Sequence, residues 1–319
     1  MSRINMLEDL LSNLLNEVND LSAALVVDLD GLIIAKKSNG GFDEELIGAI
    51  MGILEQTINR IKKYTETSFG SGTLDTNEFQ LFYIELSKVV PAIFVLVGDQ
   101  YSNINQFIPY AYIVAEKISL ILNNREIPVN LPKLTNSAEI ILEPESNTQY
   151  GNNNVNKIVV VGSEAVGKSS LVEMYREGIF EEIYKPTIGI SIKEKKLQIS
   201  KDFNLFLYLL DLGGLKSFAK IRKFYYNYSN AVLILFDYTK TETFNNISDW
   251  IEELRKFIKN KSIPVVLIGN KIDLVENREE IRIKAENLAE QYNIPFFETS
   301  AYTGEGIDEL FTYLISTLF

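Results

Sequence analysis

Residues 158–175, IVVVGSEAVGKSSLVEMY, constrain this 319-residue chain more than any other stretch. Four apolar residues run into Gly162; four more residues lead to Gly167, Lys168 and Ser169, and a helical pattern follows. The apolar strand buries the root of the loop. Gly162 and Gly167 let the backbone curl, so that N–H groups converge at a helix N-terminus, where an anion is stabilised. The spacing predicts a phosphate-holding loop lined by Glu164, Ala165, Val166, Gly167, Lys168, Ser169 and Ser170. Lys168 is expected to reach the outer phosphates, and the Ser169 hydroxyl to coordinate Mg²⁺. Background composition gives roughly 0.01 such matches in a chain of this length, so chance is a poor explanation.

From Lys157 onward strands alternate with helices, the pattern of an α/β unit with a mostly parallel sheet. Its strand ends carry polar groups. FNLFLYLLD closes on Asp211, whose carboxylate beside the phosphate loop would sit near the metal, through water. IPVVLIGNKIDLV ends in Asn270, Lys271 and, one residue on, Asp273. A carboxylate there accepts two hydrogen bonds from the ring N–H and exocyclic amine of guanine; adenine offers the opposite pattern. Asn270 is placed to brace the loop, and the Lys271 stem to lie along the base. IPFFETSAYTGEG brings Ser300, Ala301 and Tyr302 to the other side of the base, Ala301 by its backbone N–H.

The chain has no cysteine and no histidine, which excludes disulfides, thiolate chemistry, Cys/His zinc sites and His-based catalytic pairs. A net charge of −12 argues against a general polyanion-binding surface, so no nucleic-acid partner is expected. No apolar run approaches the ~20 residues that span a bilayer. Glu8 and Asp9 interrupt any signal-peptide pattern, and the terminal STLF offers no cysteine to prenylate. The expectation is a cytoplasmic protein without direct membrane insertion.

The stretches GSEAVGKSS, FEEIYKPTIGI, DLGG, NKID and ETSA follow one another in residues 156–319, which resemble a Ras-superfamily small GTPase of the Rab branch. The resemblance implies a P-loop domain over 157–319, with a mostly parallel six-stranded sheet flanked by helices. It also implies GTP and GDP as ligands, Mg²⁺, and hydrolysis of GTP to GDP and phosphate. It makes Lys168, Thr187 and Gly214 the catalytic set and Ser169, Thr187 and Asp211 the metal set. Thr187 would sense the γ-phosphate as the first switch, and the Gly214 N–H would meet it as the second. Phe180 would pack against guanine and Tyr184 would close over the phosphates. After D-x-x-G such proteins usually carry a water-orienting glutamine, but this chain has Leu215. Glu164 likewise stands where a small residue is usual. The expectation is binding and switching with slow hydrolysis, against the alternative of a non-catalytic GTP-binding scaffold; effectors are not legible. Arg222, downstream of the second switch, is expected on a solvent-facing side of its helix.

The first half reads α-β-β-α-β-β-β-α over 1–122, and the Asn/Pro/Ser/Gly-rich stretch 123–156 reads as a linker with one short strand at 140–142. A helix is expected over 4–21, strands around a turn at Asp30-Gly31, and a second helix with Asp43 as its N-cap. The closing helix carries Pro109, which would start it late or kink it. This order, with ALVVDLDGLIIA, resembles a roadblock (dynein light chain type) domain, a relative of longin-like folds with a five-stranded antiparallel sheet. The resemblance implies a homodimer. Gly48, Ala49 and Gly52 offer a flat patch on the second helix where a second copy could approach.

Overall fold

The computed structural model describes residues 2–40, 44–65, 70–86, 91–135, 137–143, 152–181, 186–200, 203–215, 218–227, 229–258 and 262–318. The chain divides into two units, Met1–Glu143 and Pro144–Phe319.

The first unit runs α1 (Arg3–Glu17), β1 (Leu21–Val27), β2 (Ile33–Ser38), α2 (Glu44–Thr65), β3 (Ser71–Asp75), β4 (Phe79–Glu85), β5 (Ile93–Asp99) and α3 (Ile108–Leu122). Its antiparallel sheet has the order β2-β1-β5-β4-β3. Ser2 caps α1 by accepting the Asn5 N–H, and Leu7, Leu10, Leu11, Leu14 and Leu15 form the buried stripe. The helix stops four residues before the expected 21, because Asn19-Asp20 form a turn and Leu21 already belongs to β1. Asp43 lies outside the described residues. Pro109 sits in the first turn of α3, where its missing N–H costs nothing. The β1–β2 turn is tied by Asp28, whose carboxylate accepts the N–H groups of Asp30 and Leu32 at 2.9 and 2.8 Å.

Two sequence expectations change here. A Cβ on Gly48 would lie 2.4 Å from the Gly31 carbonyl oxygen, and one on Gly52 would lie 2.9 Å from that of Asp30. These glycines seat α2 on the β1–β2 turn of their own unit, so they form no free patch; the sequence could not show which surface they face. The second change concerns 123–156. Part of it packs as β6 (Lys133–Leu134) and β7 (Ile140–Ile141). Side chains also hold the carbonyls of 128–132: Lys117 donates to Pro128, Asn13 to Val129 and Tyr110 to Pro132. Prolines lack N–H donors, so this backbone presents acceptors that side chains of α1 and α3 satisfy.

The second unit runs β8 (Asn152–Gly162), α4 (Lys168–Glu177), β9 (Ile190–Ser200), β10 (Phe203–Leu212), α5 (Ala219–Tyr226), β11 (Ala231–Asp237), α6 (Thr241–Asn245), α7 (Ile247–Phe257), β12 (Val265–Asn270), α8 (Glu279–Tyr292), β13 (Phe296–Thr299) and α9 (Ile307–Leu318). The mixed six-stranded sheet has the order β13-β12-β11-β8-β10-β9, and all pairs but β9–β10 are parallel. Ile158, Val159, Val160 and Val161 are fully buried at its centre, as an apolar run covered on both faces should be. Parallel pairing has one consequence for the site. Gly162, Asp211, Asp237, Asn270 and Thr299 all fall at the same edge of the sheet, where the strands end. The antiparallel β9 begins at that edge, with Ile190 paired to Leu212, and so delivers Thr187 there too.

Candidate functional site

The phosphate loop leaves β8 at Gly162 and enters α4 through Gly167, whose φ of +95° suits only glycine. A Cβ on Gly167 would also strike the Asn270 amide nitrogen at 2.3 Å. Glu164 is exposed, Ala165 has a φ of +61°, and Val166 is buried. Ser170 stands in the first turn of α4. Lys168 is buried and donates to the carbonyls of Gly162 and Ser163 at 2.9 and 2.8 Å. Burial pulls its ammonium down to about 8, against the opposing pull of Asp211. A cation held dry at a helix N-terminus attracts a polyanion strongly.

Three oxygens meet beside this loop. Ser169 Oγ lies 2.5 Å from Asp211 Oδ2 and 3.2 Å from Thr187 Oγ1, which lies 3.1 Å from the same carboxylate oxygen. Burial raises the Asp211 carboxyl; Lys168 and the two hydroxyls oppose that shift. Its Oδ1 is buried without a hydrogen-bond partner. Adjacent ligands of an octahedral Mg²⁺ bonded at 2.0–2.1 Å stand about 3 Å apart, so these hard oxygens fit that ion.

Gly214 comes against the phosphate loop: a Cβ on it would lie 2.6 Å from the Gly162 oxygen and 2.7 Å from the Glu164 nitrogen. The Gly213 N–H donates to the Gly189 carbonyl at 2.8 Å, joining the loop after β10 to the segment that carries Thr187. Leu215 is half-buried, and its carbonyl accepts from Phe218 N–H and from Arg222.

Arg222 is not solvent-facing. It is only 3% exposed, forms a fork with both carboxylate oxygens of Glu253 at 2.8 Å, and lies 4.5 Å from the Trp250 ring centroid. Its partners sit on α7, far away in sequence, which is why helical periodicity placed it wrongly. The remaining guanidinium nitrogen donates to the carbonyls of Gly213 and Leu215 at 3.0 and 2.8 Å.

The residues expected to border the base form one network. Asn270 donates to the Val166 carbonyl at 2.9 Å, tying β12 to the phosphate loop. Its oxygen accepts from Thr299 and from the Ala301 N–H, so in this structure that N–H points to Asn270. Lys271 reaches back to the Ala165 carbonyl at 2.7 Å and pairs with the buried Asp237 at 2.6 Å. Ser300 donates to Asp273 at 2.5 Å, bracing that carboxylate. Phe180 and the exposed Tyr302 meet edge to face, 5.2 Å between centroids. Tyr184 lies outside the described residues.

Sequence reasoning missed Asp237, Thr299 and Glu253. Asp237 ends an apolar strand just as Asp211 does, and that signal could have found it. Glu253 gave no signal, since a charged residue on an amphipathic helix is ordinary.

Residues 157–319 match the Ras family. The chain is 35% identical over 162 residues to the human Ras-related protein Rab-30, covering 51% of this chain and 79% of that protein. Rab-4 of Dictyostelium discoideum shares 32% over 162 residues, 51% of this chain and 78% of its own length. Rab-22A of Canis lupus familiaris shares 37% over 155 residues, 49% of this chain and 79% of its own. With this match over half its length, and its phosphate loop, hydroxyl–carboxylate cluster and NKID loop at one sheet edge, the chain belongs to the Ras family.

Proposed function

We propose that this chain is a regulatory switch that binds GTP and GDP and hydrolyses GTP slowly. The observation that carries this reading is the Asn270–Val166 hydrogen bond, which makes the base-end loop and the phosphate loop a single body. Lys168 and the N–H groups opening α4 would hold the phosphates, and Asp273, braced by Ser300, would read guanine. Phe180, Lys271, Ala301 and Tyr302 would border the base. Ser169, Thr187 and Asp211 would hold Mg²⁺, which neutralises phosphate charge when bound. Thr187 and Gly214 would respond to the γ-phosphate, since both reach the phosphate loop from segments outside it.

Leu215 supports slow turnover: it offers no polar side-chain atom to orient a water, while the groups expected to hold the nucleotide are intact. The same residue supports the second reading, a GTP-holding scaffold without catalysis. Calorimetry with GTP, GDP and ATP tests the site. Uptake of both guanine nucleotides and not ATP is expected, and no uptake refutes the reading. Phosphate release over hours with Mg²⁺ then separates the slow enzyme from the scaffold.

For the first unit we propose a roadblock-like module that pairs with a second copy. Its element order and five-stranded antiparallel sheet support this. With Gly48 and Gly52 engaged internally, the outer face of α2 carries Leu46 and Ile53, 50% and 68% exposed, around the exposed Ala49. Light scattering of Leu46→Asp/Ile53→Asp should report a monomer where the parent chain is a dimer; a monomeric parent ends the proposal. No helix among the described residues is long and apolar enough to cross a membrane.

A further inference from the structure

We infer that Arg222 is a positioning residue that sets the preference of the site for GTP over GDP, by aiming the Gly214 N–H at the phosphate loop. The inference rests on the guanine-nucleotide reading above and adds a residue that the motifs do not contain.

The argument starts from peptide geometry. The carbonyl of Gly213 and the N–H of Gly214 belong to one planar trans unit and point in opposite directions. Arg222 holds that carbonyl at 3.0 Å, on the side of α5 and α7. The Gly214 N–H is therefore turned away from Arg222, and Gly214 itself stands against the phosphate loop, where a Cβ on it would touch Gly162, Ser163 and Glu164. The same guanidinium nitrogen holds the Leu215 carbonyl at 2.8 Å, and the Gly213 N–H is fixed by Gly189. The peptide on each side of Gly214–Leu215 is thus tied down.

Arg222 is itself held on several sides. Glu253 accepts from its Nε and from a terminal nitrogen, both at 2.8 Å. Tyr226 donates to Glu253 Oε1 at 2.5 Å, and Trp250 covers the guanidinium face. A planar fork with one nitrogen left over is needed for this; an ammonium cannot serve a bidentate carboxylate and two carbonyls at once. GTP and GDP differ only in the γ-phosphate, so a group that orients the donor for that phosphate acts on one ligand and not on the other.

The test measures dissociation constants for GDP and a non-hydrolysable GTP analogue, with Mg²⁺, on the full chain, on Arg222→Lys and on Glu253→Gln. A tenfold or larger shift of the GDP-to-analogue ratio toward GDP is expected in both variants. A shift of less than tenfold overturns the inference, including when both affinities fall together, because a merely structural role weakens the two ligands alike. If Arg222→Lys does not fold, Glu253→Gln decides by the same criterion, since it loosens the brace and leaves the guanidinium in place. A parent chain that binds neither nucleotide refutes the guanine-nucleotide reading itself, and this inference falls with it.

Discussion

Both units lay helices on a central sheet, yet among the described residues only the second gathers polar groups at a single edge. In the first unit every strand pair is antiparallel, so consecutive strand ends fall on opposite edges. Its turn acids, Asp28 above all, bind their own backbone. In the second unit parallel pairing stacks Gly162, Asp211, Asp237, Asn270 and Thr299 side by side, and hydrogen bonds tie their loops together. Glycines show the same contrast. Gly48 allows a helix to touch a turn, whereas Gly214 allows the loop after β10 to touch the backbone of the phosphate loop. Close backbone approach is common to both units, and what lies beyond the contact decides whether it supports packing or binding.

The comparison can be tested at four levels of effect. Lys168→Ala removes a buried cation from the second unit. Losing a charged hydrogen-bond donor costs about 3 kcal/mol, so affinity for GDP should fall roughly a hundredfold by fluorescence titration. Unchanged affinity would place the phosphates elsewhere. Gly48→Ala probes the first unit. Alanine favours a helix interior by about 1 kcal/mol over glycine, but its Cβ meets a backbone carbonyl that cannot rotate aside, and overpacking costs about 1–3 kcal/mol. Faster hydrogen exchange in β1 and α2, with GDP affinity unaltered, is the expected pattern; a stabilised variant would mean the turn yields easily.

Leu215→Gln is next in size. Restoring a water-orienting amide should raise the single-turnover rate of GTP hydrolysis by about tenfold, equivalent to about 1.4 kcal/mol of barrier. An equal or lower rate would show that Leu215 does not limit turnover. The smallest effect is a pH dependence. Burial raises the Glu253 carboxyl, but Arg222 and Tyr226 outweigh it and hold the group below its ordinary 4.5. A carboxyl depressed in the folded state stabilises above its unfolded pKa, and that contribution is lost as pH falls through the folded one. Acid unfolding below pH 4.5 should therefore be shallower in Glu253→Gln than in the parent, and equal slopes would contradict the assigned shift.

Much of this was legible in the sequence, because its signals are local. A glycine loop between an apolar strand and a helix, Asp211 at a strand end and the NKID turn each follow from spacing within a few residues. The order of elements in both units follows from periodicity for the same reason. The tertiary structure decided the rest. Arg222 turned from an ordinary helix charge into the brace of the Gly213–Leu215 loop because Trp250 and Glu253 arrive on another helix. Gly48 and Gly52 turned from an open patch into an internal seat because a hairpin turn lies over them. The stretch 126–134 turned from linker into packed chain because α1 and α3 supply its donors. Periodicity specifies which residues share a face, but the partner of that face is set by contacts distant in sequence, and only the folded chain brings those together.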